Sequence, residues 1–153
     1  MKTAFNVEML CKARSFGLML VILMGLFWQS IVLADVAVIV HSSVAIGSID
    51  AGTLKSIYLG KLKSWPDGAT LTAIDQKAGS EIRKKFINEV IGRKEKKFDA
   101  YWSRKAFSGK GTPPKNLGND VDVKAWVARY KGSIGYIDAS MVDSSVKVLL
   151  IIK

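Results

Sequence analysis

Hydrophobic positions change their period several times along this chain, and each change marks an element. Val36 to His41, VAVIVH, is a nearly continuous apolar run, which suits a strand covered on both faces. From about Asp50 to Leu59 the period lengthens, with Leu54, Ile57 and Tyr58 facing inward, and Gly60 closes a short helix. Trp65-Pro66-Asp67-Gly68 is a strong turn. Alternation through Leu71, Ala73 and Asp75 predicts a second strand, which passes through a polar turn into Gly79-Ser80. Ser80 to Ile91 then reads as a helix, with Ile82, Phe86 and Val90 on one face and Ile87 and Ile91 beside them.

Beyond this helix, GRKEKK is a charged break or an exposed continuation, and Phe98, Tyr101, Trp102 and Ala106 recur at helical spacing as core residues. Gly109 to Gly118, with Pro113-Pro114 inside it, reads as a loop. Asn119 can cap the next helix with Asp122 at its third position, and Val123, Trp126, Val127 and Tyr130 form the buried stripe. A short strand over Ile134 to Ile137 and an apolar strand over Val146 to Ile152, which needs a central or covered place, complete the pattern. Strand, helix, strand, helix is the order of an α/β domain. The expected sheet is mainly parallel or mixed, with Val36 to His41 inside it and helices on both faces.

The segment ahead of this domain carries an address. Lys2, Lys12 and Arg14 precede the apolar run FGLMLVILMGLFW, no charged residue follows until Asp35, and Val32-Leu33-Ala34 has small or modest residues where a secretory peptidase cuts. The expectation is a signal peptide over residues 1–34 and one domain over 35–153. An uncleaved anchor is the alternative, since Ser15 to Ala34 nearly suffices to cross a bilayer, and membrane association is expected only in that case. Either way the basic leader places the remainder in the periplasm of a bacterium. Cys11 lies within the leader, so the domain has no cysteine and must fold in an oxidising compartment without a disulfide.

Charge narrows the partners less. The whole chain has 23 basic and 13 acidic residues, and the expected mature domain keeps a balance of +8, which attracts anions or an acidic envelope surface without choosing among them. Arg83, Lys84, Lys85, Arg93, Lys94, Lys96 and Lys97 are close in sequence, but helical spacing spreads them over more than one face and the leader removes the chain from intracellular nucleic acid. No nucleic-acid partner is expected.

Catalytic chemistry finds little support. His41 is the single histidine, too few for a multi-histidine metal site, and Asp67, Asp75 and Asp99 lack metal-ligand spacing. Nothing ties a serine to His41 as a nucleophile to its base. Gly109-Lys110-Gly111-Thr112 lacks the spacing of a phosphate loop, and two prolines follow it. The expectation is a protein that is not an enzyme and needs no metal or cofactor. The best chemical feature is Gly79-Ser80. A strand delivers an open helix start there, where backbone N–H groups and the dipole favour a small anion. Lys77 and Arg83 are cations near it, and Ser42 and Ser43 follow the first strand at its C-terminal end, the usual ligand side of an open α/β sheet. Glu81 either aims inward, where it repels a dianion and accepts only from a protonated ligand, or points outward and complements the dipole.

The order of several pieces resembles the phosphate-type periplasmic solute-binding proteins, of the type 2 periplasmic-binding fold. The pieces are AVIVHSS at 37–43, TLKSIYLGKLKSWPDG at 53–68, GSEIRKKF at 79–86, YWSRKAFSGKGTPP at 101–114 and KGSIGYID at 131–138. Full members have two lobes that close on the ligand, and this chain looks like one of them. The resemblance implies noncatalytic binding of phosphate or a related small oxyanion, with a link to phosphate transport. It also implies contacts from Ser80 and neighbouring N–H groups. The family's Ser-Gly-Thr-like start becomes Gly79-Ser80-Glu81 here, and the arginine that usually precedes it appears as Gln76-Lys77. With the residues read from position, the expected anion site comprises Ser42, Ser43, Lys77, Gly79, Ser80, Glu81 and Arg83. A single lobe encloses its ligand through a homodimer or an envelope protein, or else binds it weakly at an exposed face, and a module that recognises an envelope protein is the alternative function.

Overall fold

The computed structural model describes residues 34–153, so the expected signal peptide lies, but for Ala34, outside the described residues. Five strands form one sheet in the order β3-β2-β4-β1-β5. The elements are β1 (Val36–His41), α1 (Ala51–Tyr58), β2 (Thr72–Gln76), α2 (Glu81–Phe86), α3 (Glu95–Phe107), β3 (Lys115–Leu117), α4 (Asp120–Arg129), β4 (Ser133–Asp138) and β5 (Val146–Ile152). A π-helical turn, Ile87–Ile91, continues α2, and Gly92 ends it in the left-handed region at φ 70°.

The sheet is the mixed form of the expected α/β layer. β2 runs parallel to β3 and β4, whereas β1 is antiparallel to both β4 and β5. The apolar run of β1 lies between two strands, and its side chains alternate between two cores. Val36, Val38 and Val40 pack with α1, α2 and α3, while Ala37 and Ile39 join Ile74, Val123, Val127 and Ile137 under α4. Helices therefore cover both faces. Tyr58, Phe86 and Tyr136 form an aromatic group in the first core, with Phe86 and Tyr136 stacked at 3.9 Å between ring centroids.

Several sequence expectations shift in detail. β3 emerges from the stretch read as a loop because its backbone joins the free edge of β2, which local pattern does not encode. β5 takes an edge rather than a central place, and only Val146 and Leu149 on it are buried. Tyr130, expected in the buried stripe of α4, is 41% exposed, because Val123 and Val127 already fill the inner face.

Trp65 closes one end of the first core. Its Nε1 donates to the Gly132 carbonyl at 3.0 Å, and Gly132 holds φ 79° just before β4. A Cβ there would lie 2.2 Å from the Thr70 carbonyl oxygen, which is backbone and cannot swing aside. Gly132→Ala should lower unfolding free energy by at least the cost of a strained left-handed residue, about 1–3 kcal/mol, in urea titration followed by tryptophan fluorescence.

Candidate functional site

The C-terminal ends of β2 and β4 lie side by side, and the starts of α2 and α4 meet them there. Ser80 caps α2 as its sequence suggests. Its backbone is extended and its hydroxyl accepts from the Arg83 N–H at 3.4 Å while donating to Gln76 Oε1 at 2.7 Å. Gly79 reaches φ 84°, the turn that lets β2 feed α2 directly. Asn119 and Asp122 form the expected capping box at the start of α4.

Gln76 ties these starts together. Its side-chain Nε2 donates to Asp120 Oδ1 at 2.8 Å and to the Tyr136 carbonyl at 3.2 Å, and its carbonyl accepts from Asn116 Nδ2 at 2.6 Å. Asp120 Oδ1 also receives the Asp138 N–H at 2.8 Å. A buried amide with its donors and acceptor all engaged is a fixed structural link.

Arg83 is the centre of the electrostatics. It is only 4% exposed and lies among three carboxylates. Its Nε and Nη2 approach Asp75 at 3.0 Å, its Nη2 donates to Asp99 at 2.7 Å, and its Nη1 donates to Glu95. Burial alone would lower the guanidinium pKa. The hydrogen bonds to Asp99 and Asp75, the Asp75 charge and the Glu95 bond outweigh it and hold the pKa above its usual value. Tyr136 donates its hydroxyl to Asp75, and burial first, then the Asp75 charge, pushes the phenol well above its ordinary range.

Glu95 has a second donor. Its Oε1 accepts from the Gly79 N–H at 2.9 Å as well as from Arg83, so a carboxylate of the chain itself stands at the Gly79 turn. Burial raises its pKa, but the Gly79 N–H and the Arg83 hydrogen bond and charge overcome that and lower it from its ordinary value. The site as folded has one cation against three carboxylates, a formal local balance of −2.

The residues singled out from sequence separate into three groups. Gly79, Ser80 and Arg83 come together, but Arg83 spends its donors on carboxylates. Lys77 and Glu81 stand at the surface. Lys77 makes no ion pair with a described residue, and Glu81 resolves its two alternatives by pointing outward, 82% exposed and paired with Lys84 at 2.7 Å. Ser42 and Ser43 are at the other end of the sheet. β1 runs against β4, so its last residues pair toward Ile134, whereas its first residue, Val36, pairs with Asp138 near the site. Their placement with Gly79 is corrected accordingly: the C-terminal end of β1 is not the C-terminal end of β2. There His41 Nδ1 lies 2.8 Å from Ser43 Oγ and accepts the Ser43 N–H at 3.1 Å, a closed local turn. Ser43 also borders a concavity of about 270 Å³ beside Trp65 and Lys131.

Sequence reasoning missed Glu95, Asp75, Asp99, Gln76 and Asp120. The i, i+4 spacing of Glu95 and Asp99 was the available signal, since it places two acids on one side of a helix. Among the described residues no group of three or more His, Cys, Asp or Glu is placed to hold a metal ion. No helix of the described residues is long and apolar enough to cross a membrane.

Comparison with solved structures identifies the architecture. A protein from Clostridium perfringens described as a phosphate ABC transporter substrate-binding protein, solved with bound phosphate, superposes with TM-score 0.62 at 24% identity, over 76% of this chain and 45% of that one. An ABC-type phosphate transport receptor from Vibrio cholerae gives TM-score 0.60 at 19% identity, over 76% and 46%. PstS from Borrelia burgdorferi gives 0.57 at 16%, over 76% and 47%. The fold is that of a phosphate-type substrate-binding protein in part. The chain spans slightly less than half the length of these structures. No family model matches the sequence, and no curated protein matches it significantly.

The Arg83 group predicts its own acid response. Arg83→Met strands the buried Asp75 carboxylate and should cost about 3–5 kcal/mol in denaturant unfolding. Glu95 has a depressed folded pKa, so its stabilisation is fully present above the unfolded value of 4.5 and is lost as pH falls below it. Glu95→Gln should flatten that part of the acid limb of stability against pH.

Proposed function

We propose that this domain is a noncatalytic recognition module that takes phosphate or a related small oxyanion at the Gly79 turn, in the periplasm. One observation carries the reading: the Gly79 N–H and the Arg83 guanidinium converge on one carboxylate oxygen, Glu95 Oε1. A backbone N–H and an arginine N–H that hold a carboxylate oxygen have the chemistry to hold a phosphate oxygen in its place. The likeness to a fold solved with bound phosphate supports the choice of ligand. The second wall of such a site would come from outside residues 34–153, through a second copy of the chain or an envelope protein, because small-ligand sites enclose most of their ligand.

Electrostatics sets the condition for binding. A dianion entering beside Asp75, Glu95 and Asp99 meets like charge on three sides, so it must displace the Glu95 carboxylate rather than sit next to it. Gln76 contributes an amide where the resemblance places an arginine, which removes a further cation. Orthophosphate affinity in the unaltered protein is therefore weak. The same occupancy favours a second reading, a recognition module for an envelope protein in which the Glu95 contact is permanent.

Calorimetry with orthophosphate, sulfate and a neutral sugar separates the two. For oxyanion recognition, Glu95→Gln should tighten phosphate binding by roughly tenfold or more. Ser80→Ala should cost about 0.5–2 kcal/mol shared between helix capping and affinity, apportioned by a parallel stability measurement. Glu81→Gln should change little because that side chain faces solvent. No phosphate signal in either the unaltered protein or Glu95→Gln, with folding intact, would leave the protein-recognition reading standing.

A further inference from the structure

The basic run after α2 is sorted by helix α3 into an inner and an outer face. Glu95 and Asp99 lie one turn apart, on the side of Phe98 and Trp102, and turn toward Arg83. Lys97, Ala100 and Arg104 follow the opposite i, i+3, i+7 stripe, which faces outward. The acids that sequence places beside these cations are thus paired with Arg83.

The outward stripe does not form a flat surface. Lys97 and Arg104 border a concavity of about 590 Å³ whose remaining edge is Gly92, Arg93, Lys94 and Ala100. The left-handed turn at Gly92 swings Arg93 and Lys94 toward α3, and the Arg93 guanidinium lies 5.7 Å from the Tyr101 ring centroid, over its face. Lys55 closes in from the last turn of α1, with its ammonium 3.7 Å from where a side chain on Gly92 would begin. Four cations, Arg93, Lys94, Lys97 and Arg104, therefore line one bowl, and Lys55 adds a fifth beside Gly92. The ion pairs of the described residues engage Arg83, Lys84, Lys85 and Lys124, and none of these five.

Holding five like charges this close is unfavourable without counter-charge, and a concave arrangement focuses the field toward its centre. A single orthophosphate neutralises at most two of them. We infer that this bowl is a second anion site, distinct from the Gly79 turn, for a compact polyanion of condensed phosphate with at least three negative charges. Tetrahedral phosphate groups present oxygens in several directions, which matches cations converging from the Gly92 turn and from α3, and the two guanidinium groups suit phosphate oxygens.

The test is calorimetry of the purified protein with sodium tripolyphosphate at about 0.15 M salt, where weak surface attraction is screened. One saturable site is expected. Arg93→Gln with Arg104→Gln should weaken it by roughly tenfold or more, while Lys110→Gln with Lys153→Gln, which removes the same charge elsewhere on the surface, should leave it nearly unchanged. The orthophosphate response of Glu95→Gln should be unaffected by the Arg93 and Arg104 changes, so failure of either site is read separately. Equal loss in the two double variants would reduce the effect to net charge and overturn the site. So would the absence of saturable tripolyphosphate binding, including the case where the protein binds phosphatidylglycerol vesicles that tripolyphosphate does not displace.

Discussion

A guanidinium that is buried must be surrounded by acceptors, and Arg83 imposes that requirement on three elements at once. Asp75 comes from β2, Arg83 itself from α2, and Glu95 and Asp99 from α3. An isolated charge in this position would be prohibitively costly, so the helices can pack on the sheet only where their carboxylates reach it. The aromatic layer beneath reinforces the arrangement. Tyr136 of β4 lends its hydroxyl to Asp75 and stacks on Phe86, so polar and apolar contacts also tie β2 and α2 to β4.

This constraint shapes both regions where anion binding is proposed. At the Gly79 turn it brings in Glu95, which takes up donors that an external oxyanion would use. On α3 it turns the acids toward Arg83 and leaves the outer stripe uncompensated, so that Lys97 and Arg104 join Arg93 and Lys94 around one bowl, with Lys55 beside Gly92. The overall basic balance of the chain is thus not evenly spread. A region rich in lysine and arginine near α2 is locally acidic at its buried centre and strongly basic on the far side of the next helix.

Much of the fold was legible because local pattern and burial agree. Val36 to His41 is apolar at both parities and does face two cores, and Ser80 and the Asn119–Asp122 pair cap the helices that their spacing predicts. Strand direction was the point at which pattern stopped helping. Nothing in VAVIVHSS says that β1 runs against β4, and that single fact carries Ser42 and Ser43 to the opposite end of the sheet from Gly79. The exposure of Glu81 was one of two readings that its position allowed, and the Lys84 pair decides it. The i, i+4 spacing of Glu95 and Asp99 was legible, but not the role of Glu95, which depends on contacts with residues 12 and 16 positions earlier across a turn whose path the sequence does not show.

A carboxylate of the chain itself, Glu95, holds the Gly79 N–H together with Arg83. The amide resonance of Gly79, followed by ¹H–¹⁵N NMR as pH is lowered from neutrality, reads that contact directly. It should move with a midpoint below the ordinary glutamate value of 4.5, and the movement should vanish in Glu95→Gln. A Gly79 resonance that stays still through the whole carboxylate range in the unaltered protein would contradict the account.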